Sequence, residues 1–337
     1  MKDIEYQDVE SIATLPYKWE KLNGKSILIS GGSGFIGTFI SNVIRYRNEK
    51  YNAGIKVISL SRSGGVSDST VEHLKMNIVN PISYTEPVDY ILHLASNTHP
   101  KQYGEDPVGT IITNVYGCNN LLKLAVEKKS RFIFASSVEI YGQGTADLMS
   151  EDYCGYINCN VARNGYNESK RVCEALCQSY KNQYGVNVVI ARLARVFGAD
   201  SKADTKAMSQ FMQKAVFDEN IILKSTGKQR FSYCYIADAV SGILKIMLDG
   251  QDGEAYNVSD DDESLNLGDY ADFIATLAGK SVQYQIEDNA SVSCASYALV
   301  DTAKLKELGW EPLFTVKEGL ERTYKIYKNR THVNEVL

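Results

Sequence analysis

Ser26-Ile27-Leu28-Ile29-Ser30-Gly31-Gly32-Ser33-Gly34-Phe35-Ile36-Gly37 decides how this chain folds. Residues 26–29 form an apolar run that reads as a buried strand, and Thr38 to Ile44 opens a helix. Strand, glycine turn and helix in that order are the context of a dinucleotide fingerprint. Gly31 and Gly34 allow a tight turn and close approach of the backbone to a pyrophosphate. Gly37 lets the helix pack on the sheet, and the helix N-terminus favours the anion. Ser33, Phe35 and Ile36 complete the cofactor-facing loop.

Outward from this loop, strand patterns at 26–30, 55–60, 89–94, 131–136 and 187–192 alternate with helical patterns at 36–48, 107–128 and 164–184. That alternation predicts an α/β fold, a Rossmann-type doubly wound parallel sheet. Gly198-Ala199-Asp200-Ser201-Lys202 reads as a loop and a lobe boundary, followed by short helices and strands such as 221–224 and 282–286. The organisation is an extension at 1–23, a dinucleotide-binding domain at 24–198 and a mainly substrate-binding lobe at 199–337, with some of its segments returning to the first domain.

Behind the loop come Ser137, Glu139, Tyr166 and Lys170. A phenol titrates near 10, too high for a base at neutral pH. Lys170, four residues after Tyr166, shares its helix face. Its charge, with that of an oxidised nicotinamide, would favour the phenolate. Ser137 can then orient a substrate oxygen. Tyr-x-x-x-Lys alone is common; its position after a dinucleotide loop gives it meaning.

On these residues the chain resembles an extended short-chain dehydrogenase/reductase of the nucleotide-sugar epimerase/dehydratase family. Val88-Asp89-Tyr90-Ile91-Leu92-His93-Leu94-Ala95-Ser96 resembles the family's fourth strand, and Asn114 falls on the helix that follows. Tyr235-Ile236-Ala237-Asp238, Asn257-Val258-Ser259 and Leu308-Gly309-Trp310-Glu311-Pro312 also fit. The resemblance implies that Leu94, Ala95, Ser96 and Asn114 serve the cofactor, with a smaller C-terminal substrate lobe. It implies oxidation at C4 of a nucleotide-diphosphate sugar, and a homodimer through the helices at 107–128 and 164–184.

Ser61 stands where NAD-preferring relatives carry an acid, and Arg62 follows; the pair could hydrogen-bond a 2′-phosphate, so NAD(P) is expected with NADP favoured. Asn77 occupies the place of an aspartate near adenine. Val138-Glu139 replaces the Asp-Glu pair of 4,6-dehydratases, whereas Ser137-Val138-Glu139, Arg163 and Glu168-Ser169-Lys170-Arg171 resemble UDP-glucuronate decarboxylases. Two departures stand out. Phe231 replaces an arginine seven residues before Asp238, with Arg230 one residue earlier, and Arg195 replaces an asparagine. Arg163, Arg195 and Arg230 are the expected substrate-binding residues. An NADPH-dependent 4-keto-sugar reductase, a C4 epimerase and a non-catalytic dinucleotide sensor stay open.

The 36 Lys and Arg against 41 Asp and Glu give a net charge of −5 with scattered basic residues, which speaks against nucleic acid. No apolar run is long enough to span a bilayer. Seven cysteines show no metal-like spacing, and with no signal-peptide core in residues 1–23 they imply reduced thiols in a cytoplasmic protein.

Overall fold

The computed structural model describes residues 3–98, 100–144, 147–200, 206–260, 265–286 and 297–335. Helix α1 (Ile4–Ala13) precedes β1 (Ser26–Ser30), α2 (Phe35–Tyr51), β2 (Lys56–Ser61), β3 (Val71–Lys75) and β4 (Tyr90–His93). Then come α3 (Pro100–Glu105), α4 (Pro107–Lys128), β5 (Arg131–Ser137), α5 (Gly165–Tyr184), β6 (Val188–Leu193) and β7 (Arg195–Phe197). The later half holds α6 (Ala207–Val216), β8 (Ile221–Leu223), β9 (Arg230–Phe231), β10 (Tyr233–Tyr235), α7 (Ile236–Asp249) and β11 (Ala255–Val258). It closes with α8 (Leu267–Leu277), β12 (Val282–Tyr284), β13 (Tyr297–Ala298), α9 (Ala303–Glu307) and α10 (Val316–Glu335).

The expected doubly wound sheet is present, in the order β11-β6-β5-β4-β1-β2-β3 with parallel neighbours. β1 shows why its apolar run is continuous. Ile27 and Ile29 enter the core on one face and Leu28 the core on the other, all fully buried. The order reverses at β1, which lies between β2 and β4, so a crevice opens beyond the strand ends there.

Two strands of this sheet lie outside the expected set. β3 is an edge strand with only Val71 buried and polar Glu72, His73 and Lys75 beside it, so no apolar run marks it. β11 comes from the later half of the chain and completes the sheet against β6. Ser201 and Lys202 of the expected lobe boundary lie outside the described residues.

The extension at the start is tied down at both ends. Trp19 is buried, its indole N–H donates to the Leu15 carbonyl, and Arg47 lies over its ring. Asp8 of α1 is fully buried, accepting from the Tyr235 hydroxyl at 2.6 Å and from Arg322 Nε at 2.7 Å. Helix α1 thereby joins α10 to the strand that begins α7.

Candidate active site

The glycine loop fills the crevice floor between β1 and α2. Gly31 has φ +74°, and a Cβ there would stand 3.0 Å from Ala95 backbone atoms at the end of β4. At Gly37 a Cβ would stand 2.7 Å from the Gly31 oxygen and the Gly32 Cα. No side chain caps α2 at Gly34, so its first-turn N–H groups are left for a ligand anion. Ser33, Gly34, Phe35 and Ile36 line the wall of a cleft of about 960 Å³. The cradle fits the pyrophosphate of a dinucleotide.

At the end of β2 the cleft is lined by Ser61 and Arg62, with Asn77 opposite. The Ser61 hydroxyl closes a turn, accepting from the Gly64 N–H at 3.0 Å. Arg62 is exposed and makes no ion pair or hydrogen bond among the described residues. Asn77 accepts from the Val79 N–H through Oδ1 and lines the cleft. No carboxylate lines this corner among the described residues.

Leu94, Ala95 and Ser96 form the opposite rim. Asn114 was expected to touch the cofactor, but it is buried behind this rim. It accepts from the Ser96 hydroxyl at 2.7 Å and donates to Ser169 Oγ at 2.8 Å. Ser169 in turn donates to the Tyr166 carbonyl at 2.7 Å, so Asn114 links the β4 rim to α5 and does not itself line the cleft.

Ser137 ends β5, and Tyr166 and Lys170 face it from the first turns of α5. The Ser137 and Ser96 hydroxyls lie close enough to the Tyr166 phenol to favour its ionised form. Lys170 is buried, donates to the Ala135 carbonyl at 2.8 Å, and stands 6.0 Å from the Tyr166 ring centre. Burial raises the Tyr166 proton affinity above that of an ordinary phenol, the Glu139 charge adds to it, and the two serine hydroxyls oppose it. Burial also lowers the Lys170 pKa. Burial is thus the leading influence on the phenol, and the Lys170 ammonium is engaged by the Ala135 carbonyl.

Tyr103 and Asn167, which no sequence pattern marks, also stand near Tyr166. Tyr103 of α3 stacks on Tyr166 with ring centres 5.0 Å apart and planes 21° apart. Arg163 lies over the Tyr103 ring at 5.4 Å and also lines the cleft. Tyr103 sits on a short helix in what reads as an irregular loop, without a pattern to flag it. Asn167, next to Tyr166, donates to the Glu139 carbonyl at 2.8 Å and to its Oε2 at 3.2 Å.

Glu139 pairs with Arg195 across the cleft, Oε1 to Nη2 at 3.2 Å, both half-buried. Arg230 was expected at this substrate end. Phe231 lines the cleft instead and Arg230 does not, because neighbours on β9 point to opposite sides. Arg171 anchors the backbone around Glu139, donating to the Ile140 and Gly155 carbonyls at 2.6 Å each.

Residues 27–259 match the NAD dependent epimerase/dehydratase family. UDP-glucuronic acid decarboxylase 3 of Arabidopsis thaliana is 31% identical over 313 residues, covering 91% of this chain and 90% of the relative. UDP-glucuronic acid decarboxylase 1 of Xenopus tropicalis is 29% identical, covering 90% and 72%. Among solved structures, UDP-glucose 4-epimerase of Thermotoga maritima superposes with a TM-score of 0.77 at 23% identity, covering 91% of this chain and 99% of the other. UDP-glucuronic acid 4-epimerase of Bacillus cereus, solved with UDP-glucuronic acid and NAD, gives 0.76 at 20% identity, covering 90% and 99%. The glycine cradle, the sheet that carries it and this match over most of the chain make it a member of the NAD dependent epimerase/dehydratase family.

Proposed function

We propose that this enzyme oxidises C4 of a nucleoside-diphosphate sugar, and that the resulting 4-keto sugar loses its C5 carboxylate. The observation that carries this reading is the meeting of Ser137, Tyr166, Lys170 and Glu139 at one wall of the cleft that the glycine loop floors. The relatives named UDP-glucuronic acid decarboxylases support uronate as the sugar.

Gly31, Gly34, Gly37 and the α2 N-terminus would hold a nicotinamide dinucleotide, with Ser61, Arg62 and Asn77 at its adenosine end. When bound, it supplies a hydride acceptor and later returns the hydride. Tyr166 takes the C4 hydroxyl proton, Ser137 holds that oxygen, and Lys170 keeps a positive charge one helical turn away. A 4-keto uronate is a β-keto acid. Its C5–carboxyl bond breaks, carbon dioxide leaves, and the bonding pair moves onto the C4 oxygen. Glu139, gripped by Asn167 and Arg195, would pass a proton taken from water to C5, and the enolate returns to the 4-ketone.

The exposed, unpaired Arg62 favours NADP over NAD. It also favours a second reading, a 4-keto-sugar reductase that consumes NADPH. Val108, Ile112, Tyr116 and Val172 leave an apolar face exposed on α4 and α5, which supports a homodimer there. The first lobe is taken as residues 24–198 and the second mainly as 199–337. No helix among the described residues is long and apolar enough to cross a membrane. The cysteines described are free thiols, in keeping with a proposed cytoplasmic setting.

The test is release of label from carboxyl-labelled UDP-glucuronate incubated with enzyme and either nicotinamide cofactor. Label should appear as carbon dioxide without net NAD(P)H formation. Net consumption of NADPH with a 4-keto sugar, and no release of label, would establish the reductase instead.

A further inference from the structure

Arg195 is where the two sequence departures meet in space. β7 pairs it with Tyr233 of β10, and its backbone N–H donates to the Ser232 carbonyl at 3.2 Å, which fixes where the side chain starts. Its guanidinium carbon lies 3.8 Å from the centre of the Phe231 ring. Phe231 thus holds the charge against an apolar wall, where it is felt more strongly than in water. Nη2 is engaged by Glu139 at 3.2 Å. Nη1 is buried and has no hydrogen-bond partner among the described residues. A guanidinium brings five N–H donors in a fixed fork, and a buried donor without an acceptor is costly until one arrives.

We propose that Arg195 is the receptor for an anionic group on the substrate, and that Glu139 stands in for that anion while the substrate is absent. The incoming charge engages Arg195 through Nη1 and loosens the Arg195–Glu139 pair. Glu139 then stays attached through Asn167 and becomes available to the reacting sugar. The charge on the substrate therefore controls the readiness of Glu139. The ligand class is a nucleoside-diphosphate sugar with a carboxylate on the ring, and in this the inference rests on the nucleotide-sugar reading above. The same chemistry is present in the diphosphate, so the experiment separates the two sources.

Calorimetric titrations with UDP, UDP-glucose and UDP-glucuronate, with NAD present and in a Tyr166→Phe background that stops turnover, read the three affinities. Arg195→Asn should weaken UDP-glucuronate on the order of ten- to a hundredfold, and UDP and UDP-glucose less than about threefold. Glu139→Gln should act with the opposite sign. It removes the internal competitor and should tighten UDP-glucuronate by about two- to fivefold, the range for a partly exposed pair. Equal weakening of all three ligands by Arg195→Asn would assign Arg195 to the diphosphate and overturn the proposal. Unchanged or weaker uronate binding in Glu139→Gln would overturn the displacement of Glu139, and it does so even when Arg195→Asn fails to fold. Failure of the decarboxylation reading looks different: the unmutated enzyme releases no carbon dioxide, while Arg195 still discriminates the charged sugar from the neutral one.

Discussion

Replacing Gly37 by alanine adds one methyl group to a space already filled by backbone. The new Cβ would lie 2.7 Å from the Gly31 oxygen and the Gly32 Cα, and 2.8 Å from the Gly32 oxygen. Carbon atoms settle at about 3.5–4.0 Å from their neighbours, so the loop and α2 must part by roughly 0.5–1 Å. All three obstacles are main-chain atoms, and no rotamer change relieves them. Overpacking of this kind costs about 1–3 kcal/mol. Where α2 yields, the cost appears as stability, at about 2–4 °C of Tm per kcal/mol in a domain of this size. Where the loop yields, it appears in the cradle for the cofactor pyrophosphate, as a loss of affinity on the order of ten- to a hundredfold. Calorimetric titration with NAD and NADP, beside a thermal melt, reads both. Gly104→Ala is the control, because its added Cβ meets nothing within 4 Å. A Gly37→Ala protein that melts with the parent and binds cofactor equally well would refute the cradle assigned to this loop.

Tyr166→Phe removes the hydroxyl proposed as the base, and should lower kcat by about a hundred- to ten-thousandfold with cofactor affinity unchanged; turnover near the parental rate refutes that role. Arg62→Glu sets a carboxylate at the corner proposed for a 2′-phosphate, so NADP affinity should fall at least about tenfold while NAD affinity holds; an unchanged NADP to NAD ratio, by titration of each, counts against the adenosine-end assignment. His93 is buried with its pKa lowered to about 3, chiefly by desolvation, and it hydrogen-bonds Ser30 at 2.7 Å. The folded protein therefore binds fewer protons than the unfolded chain between the unfolded value near 6.5 and about 3, so this contribution is intact above pH 6.5 and declines as pH falls. Urea unfolding should show about 1 kcal/mol less stability from this group at pH 5.5 than at pH 7.5, a difference that His93→Asn should lack.

Much of the site is legible in the sequence because it is local. The glycine spacing, the Ser at a strand end and the Tyr-Lys pair on one helix face each depend on residues close along the chain. What escapes is what depends on tertiary contact. Phe231 and Arg195 can each be noticed as departures, but 36 residues separate them, and only the folded chain lays the guanidinium on the ring. Tyr103 comes from a segment with no periodicity, and its stack with Tyr166 depends on where α3 is set. Asn114 has the expected helix position but turns its amide to Ser96 and Ser169, a direction that spacing cannot give. Lys170 is where the pattern puts it, yet burial and the Ala135 carbonyl decide what its charge does to Tyr166. β3 is hidden for a simpler reason, since an edge strand needs little apolar surface.

The most direct test follows deuterium at C4. UDP-glucuronate labelled there is incubated with the enzyme and NAD or NADP, and the product is read by mass spectrometry. The account predicts a product lighter by carbon dioxide that keeps its deuterium, formed without net NAD(P)H and more slowly than from unlabelled substrate. Decarboxylation that proceeds at the same rate and never disturbs the C4 hydrogen, or failure to convert any nucleotide-linked sugar in the presence of bound cofactor, would contradict it.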